Sequence, residues 1–173
     1  MSAQVQEKAS ATQQDAPEKT QNLELGEAVG RIASGVYIIT AQHQDQKAGI
    51  IASWVQQAGF EPLTLSIALH PERELYKIIQ QSNTLTINVI ESKQYHLMKA
   101  FGKFSPNQFE NLDVVETGYG ITLNEAVASI QCWVKQVVPV SDHHLLVVEA
   151  VSGKHQRPEL EPMVHLRKSA FNY

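Results

Sequence analysis

The alternation of apolar and polar positions divides this chain into short segments. Leu63 to Leu69 (LTLSIAL) and Thr84 to Ile90 (TLTINVI) place apolar side chains at every second residue, the period of a strand that buries one face. Val36 to Thr40 (VYIIT) is β-branched and aromatic, and the polar run after it (QHQDQK) reads as a hairpin turn. Ala128 to Val138, His144 to Val151 and a short piece at Met163 to Leu166 make the final third β-rich, with Pro139-Val140-Ser141-Asp142 turning between the first two.

Three stretches carry helical spacing instead. Leu23, Leu25, Ala28, Val29, Ile32 and Ala33 form an apolar stripe that predicts a helix closed by Ser34-Gly35, with Gly35 as its C-cap. Glu72 to Gln80 and Gln94 to Phe101 predict two more, the last ended by Gly102. Lys103 to Gly120, which holds Phe104, Phe109 and Tyr119, reads as a long irregular connection; such a length is uncommon unless it covers a site, so a lid or interface loop is expected. Six or so antiparallel strands with peripheral helices predict a closed barrel, because closure removes exposed edges.

Met1 to Asn22 has no aromatic residue, no Leu and no Ile, so it cannot bury enough apolar area to offset the entropy of ordering it. It is expected to be a disordered tail, residues 1–22, ahead of one domain over 23–173; an amphipathic helix that docks on a partner is the other reading. The remaining composition is that of a globular domain, 43% hydrophobic and 18% charged. A formal charge of -4 without any Lys or Arg run argues against a nucleic-acid partner. No apolar run approaches the ~20 residues of a membrane span, the start lacks a signal pattern, and the single cysteine, Cys132, allows no internal disulfide. A cytoplasmic protein is expected.

Candidate chemistry centres on Ala48 to Pro62 (AGIIASWVQQAGFEP), where Gly49, Ala52 and Ser53 precede Trp54 between two strand-like segments. Small residues let a backbone or a planar ligand come close, or they mark a barrel corner that holds no ligand. Arg73, in the first turn of the second helix, could join backbone N–H groups on an anion or simply be solvated. Asn88 is out of place in a strand interior; it either caps a loop or reads a ligand's polar edge. Asp142-His143-His144 could fix an imidazole tautomer or be turn chemistry. Cys132 reads as a buried structural thiol. The seven histidines show no zinc-binding spacing, so no metal is expected, and Rossmann, P-loop and nucleophile-elbow motifs are absent.

Taken together, GRIASGVYIITA, AGIIASWVQQAGFEP, the strand ending in HPER, TINVIE, LMKAFGKF, SDHHLL and VHLRKSAFNY resemble, in order and spacing, the flavin reductase-like, FMN-binding split-barrel family. The chain looks most similar to the flavin reductase module at the C-terminal end of cyanobacterial diiron diflavin flavoproteins. The resemblance implies a mainly β fold with peripheral helices, a six-stranded antiparallel split barrel, and a homodimer with FMN near the subunit interface. It places Ala52, Ser53, Trp54 and Val55 along the flavin, Arg73 near its phosphate and Asn88 beside it. It also sets Arg167 and Lys168 at the border of the site and His143 where a nicotinamide would approach, as the catalytic residue. Two departures stand out: Ser141 replaces the glycine of a Gly-Asp-His turn and is followed by an extra His144, and His70-Pro71-Glu72 replaces a basic residue after the third strand. The implied activity is hydride transfer from NAD(P)H to flavin, with electrons passed to oxygen or an acceptor protein. The alternative is a non-catalytic barrel that binds FMN or heme and relays it.

Overall fold

The computed structural model describes residues 15–171, with side chains from residue 22 onward. It divides into two compact units, one combining the chain up to Ala33 with Leu166 onward, the other spanning Ser34–His165. Residues 1–14 of the expected tail lie outside the described residues. Helix α1 (Asp15–Gly30) takes in the rest of that stretch, starting eight residues before the apolar stripe. It closes at Gly30, not at Gly35, because the amides of Arg31 and Ile32 turn back to the carbonyls of Ala28 and Val29 at 3.1 Å each.

Within this first unit, Gly26 and Gly30 sit one helical turn apart and let the terminal segment lie against α1. A Cβ at Gly30 would stand 2.8 Å from the Arg167 carbonyl oxygen, and one at Gly26 would stand 2.7 Å from the Phe171 ring. The Ala170 amide donates to the Gly26 carbonyl at 2.8 Å, and the Arg31 guanidinium donates to the Arg167 carbonyl. A side chain at Gly30 would meet backbone, which cannot swing away. Gly30→Leu is therefore expected to destabilise this unit by about 2 kcal/mol, as overpacking does, and to speed proteolytic loss of the terminal segment.

The second unit contains β1 (Ser34–Gly35), β2 (Tyr37–His43), β3 (Gln46–Ala52), β4 (Val55–Phe60), β5 (Leu63–Leu69), α2 (Glu74–Ser82) and β6 (Thr84–Val89). It continues with α3 (Tyr95–Phe101), β7 (Val114–Thr117), β8 (Gly120–Leu123), β9 (Ala128–Val140), β10 (His143–His155) and β11 (Val164–His165). The main sheet is antiparallel and has seven strands rather than the expected six, in the order β3-β2-β6-β9-β10-β5-β4. The additional strand arises because the AGIIASWVQQAGFEP stretch breaks at Ser53-Trp54 into β3 and β4, which pair with different neighbours.

Those two strands are the opposite edges of the sheet, yet only two residues separate them. A flat sheet of seven strands at about 4.8 Å spacing would hold its edges roughly 29 Å apart. Ala52 and Val55, three peptide steps apart, can be separated by no more than about 11 Å. The sheet therefore curls until its edges meet at Ser53-Trp54.

Period-two alternation then sorts side chains between two cores. Ile39, Ile67, Leu69, Leu85, Ile87, Leu146 and Val148 form one, into which α2 inserts Leu75, Ile78 and Ile79. Ile38 and Val36 face the other way, against Leu97, Phe101, Phe109, Ile121 and Leu123. β2 is thus buried on both faces, which accounts for Ile38 and Ile39, adjacent in sequence, both being wholly buried. The expected lid loop is instead a packed second layer holding the β7–β8 hairpin. Gln108 Nε2 donates to the Gly49 carbonyl at 2.8 Å, Lys47 pairs with Glu116 at 2.7 Å, and the Phe101 ring fills the space a Cβ on Gly49 would need. Polar side chains carry part of this layer. Thr40 Oγ1 donates to the Ile121 carbonyl at 2.6 Å and accepts from its amide at 3.1 Å, so a buried hydroxyl holds β8 where no strand ladder does.

Candidate functional site

Leu69 and Ile67 point into the first core, so Ala68 on the same strand, and His70 directly after its end, point outward. His144 lies opposite Leu69 in the β5–β10 ladder, which turns its neighbour His143 to the outward face beside His70. Across the other side of β5, the Ala68 amide donates to the Trp54 carbonyl at 3.0 Å. Three chain segments thus deliver three rings to one end of the sheet. Trp54 and His143 have centroids 4.9 Å apart and tilted by 58°, and His70 meets His143 edge-on at 5.4 Å.

Hydrogen bonds fix what each imidazole can do. Asp142, in the tight β9–β10 turn where Ser141 adopts φ 54°, lies 2.9 Å from His143 Nδ1 through its Oδ1. That bond holds the Asp142 carboxyl below the usual carboxylate range even though the group is fully exposed. An ionised carboxylate only accepts, so His143 Nδ1 carries the proton and Nε2 presents a lone pair when the ring is neutral. His70 Nδ1 accepts from the Glu72 amide at 3.3 Å, which leaves its proton on Nε2. The site therefore offers one outward basic nitrogen beside one N–H donor.

Ser53 supplies the polar group without a partner. Its Oγ is buried and makes no hydrogen bond in the protein, a costly arrangement for a hydroxyl unless something else bonds to it. Its neighbours differ. Ala52 is buried in the first core and Val55 packs against it, so their side chains are committed and only their backbone could touch a ligand. Trp54 is half-buried at the ring cluster.

Arg73 stands at the N-cap of α2 in an extended conformation, exposed and without a side-chain cap bond. Its amide donates to the His70 carbonyl at 3.1 Å, which places it one turn from the cluster. Glu74 beside it pairs with Lys77 at 2.9 Å. Asn88 is wholly buried, its Nδ2 donates to the carbonyls of Ile38 at 3.2 Å and Ile121 at 3.1 Å, and its Oδ1 accepts from the Leu123 amide at 2.9 Å. These bonds to backbone tie β8 to β6 and β2 through one side chain. Arg167 and Lys168 belong to the first unit, where Arg167 is 9% exposed with its Nη1 donating to the Ala170 carbonyl at 3.4 Å.

Sequence reasoning passed over His70 as a strand stop. The signal was present: counting outward from Leu69 puts residue 70 on the face that His143 occupies. Cys132 is buried, and desolvation pushes its thiol up to about 12, so it stays protonated and unreactive. Among the described residues no group of three or more His, Cys, Asp or Glu could hold a metal ion, and no helix is long and apolar enough to cross a membrane.

An antiparallel sheet curled until its edge strands approach at Ser53-Trp54, with an orphaned hydroxyl and a ring cluster at that point, is the architecture of this small β domain. The chain belongs to the flavin reductase like domain family, whose model matches residues 29–173. It is 32% identical over 160 residues to diflavin flavoprotein A 1 of Synechocystis sp., covering 90% of this chain but only 28% of that protein. It thus spans little more than a quarter of the length of that relative. Solved structures share the fold. Nitrilotriacetate monooxygenase component B from Mycobacterium thermoresistibile matches with a TM-score of 0.75 at 21% identity, over 89% of this chain and 85% of that one. An NADH:FAD oxidoreductase of Streptomyces globisporus matches with a TM-score of 0.75 at 17% identity, over 94% and 95%.

Proposed function

We propose that this chain is an FMN-binding flavin reductase that uses NAD(P)H, and that Ser53, Trp54 and His143 are the core of its site. The observation that carries this reading is the buried, unpartnered Ser53 Oγ beside the Trp54–His143–His70 cluster in a chain of this family. Bound FMN would supply the redox chemistry, taking hydride from the nicotinamide and releasing electrons to oxygen or an acceptor protein. The chain's own residues bind, orient and manage protons. Ser53 Oγ provides a hydrogen bond to the ligand, and Trp54 gives a flat apolar wall. His143 holds a lone pair at Nε2, directed by Asp142, for a proton or for the nicotinamide amide. Arg73 offers the one guanidinium of the α2 N-terminus to a phosphate.

A homodimer belongs to the same reading. Val138, Leu145 and Val147 are half-buried on the outward face of β9 and β10, apolar area suited to a second copy. Light scattering on the purified protein tests it. A cytoplasmic location fits the buried reduced thiol of Cys132.

The visible spectrum decides the main claim. With FMN added, anaerobic NADH or NADPH is expected to bleach the flavin band near ~450 nm, a property of the cofactor itself. Firm FMN binding without bleaching by either donor would replace the reductase with a relay module. Ser53→Ala is expected to weaken FMN affinity about fivefold, the worth of one neutral hydrogen bond, with an unchanged melting temperature; unchanged affinity would put the ligand elsewhere.

A further inference from the structure

Beneath the ring cluster, on the inward side of the sheet, lies a second pair of aromatic groups. Tyr76, on α2 and 3% exposed, brings its hydroxyl to 2.6 Å from His144 Nδ1, with the rings edge-on at 5.2 Å. Gln80, one turn further along α2, donates its Nε2 to the same hydroxyl at 3.3 Å. An amide nitrogen only donates, so the phenol accepts from Gln80, and it shares one further proton with His144 Nδ1, given by whichever of the two carries it in the ring's tautomer. Tyr76 also reaches backwards, its amide donating to the Arg73 carbonyl at 3.0 Å.

Two hydrogen bonds through one residue therefore join the Arg73 end of α2 to the start of β10. Successive residues of a strand face opposite ways, so a β10 backbone that rolled to release His144 would swing His143 off Trp54 and His70. We propose that Tyr76 is a positioning residue for this site: through its hydroxyl it holds His144, and through His144 it fixes His143 against Trp54. This rests on the flavin reading only for the choice of ligand. The structural tie stands on the bonds themselves.

The test uses a Trp133→Phe background, in which Trp54 is the remaining one of the chain's two tryptophans and reports its own packing by its emission. Into this go Tyr76→Phe, His144→Phe, the double substitution, and His144→Gln, whose amide oxygen can accept the phenol proton. Without ligand, both single variants are expected to shift Trp54 emission alike, the double no further, and His144→Gln to restore it. With FMN, each single is expected to raise Kd about fivefold, as the loss of one buried hydrogen bond does, and the double no more than either. A Trp54 emission that stays put in both singles, a lack of rescue by His144→Gln, or a falling melting temperature with FMN affinity unmoved would each overturn the proposal. If emission behaves as expected and the unsubstituted protein binds no FMN, the tie holds and the flavin reading falls.

Discussion

Asn88→Leu is expected to cost about 3 kcal/mol of stability, because it takes a hydrogen bond from three buried backbone groups at roughly 1–3 kcal/mol for each one left unpaired, the Ile121 carbonyl keeping Thr40 Oγ1 as a partner, and is partly offset by the added apolar volume. The Ile38 and Ile121 carbonyls and the Leu123 amide are those groups, and none has water within reach at a wholly buried position. Denaturant titration measures the loss. The same variant separates two roles for this residue. As a pin for β8 it changes stability and leaves FMN affinity of the folded fraction unmoved. As a flavin contact it would weaken affinity even in protein stabilised by cold or osmolyte, and that outcome would reverse the reading given above.

Asp142→Asn is expected to slow flavin reduction about tenfold while leaving the melting temperature within about one degree, since general acid–base or orienting roles of this kind are worth tenfold or more and exposed contacts little. An amide can either donate to Nδ1 or accept from it where the carboxylate can only accept, so the substitution no longer holds the His143 proton on Nδ1 and lets the outward lone pair be lost to the other tautomer. The pH dependence follows in sign from the lowered Asp142 carboxyl. Its bond to His143 is formed at neutral pH and above the ordinary carboxylate value, and it is lost only as pH falls through the depressed one. The Asp142–His143 bond of the unsubstituted protein should therefore persist through mildly acid pH, and stopped-flow reduction traces across pH for both proteins show how much of the rate depends on it. An Asp142→Asn protein as fast as the original would show that the tautomer of His143 does not matter.

Much of this architecture was legible because alternation is a local signal. LTLSIAL and TLTINVI state their strand period outright, and HLLVVEAV states which of its residues face inward. The β7–β8 hairpin was not legible: VVETGYGITL is short and mixed, and what orders it is supplied from afar by Thr40 and Asn88. Helix α1 begins earlier than its stripe because a helix continues past its apolar contacts wherever propensity allows. The seventh strand escaped because a break of two residues leaves no mark in composition.

The site was half legible for similar reasons. Ser53, Trp54 and His143 carry a resemblance in sequence and meet in space, whereas Asn88 carries the same resemblance and is spent on backbone. His70 needed a count of strand parity, and Tyr76 needed the tertiary ladder that sets His144 above α2.

The break at Ser53-Trp54 holds the two edge strands of the main sheet within a two-residue reach of each other. Ordinary surface loops absorb extra residues at little cost, since closure entropy grows only slowly with length. This joint is the seam between two edge strands that share no ladder, so extra residues there would let their ends move apart. A molecule seated on Ser53 would tighten that seam and be repaid in thermal stability through linkage, so the domain should be hardest to unfold when it is loaded.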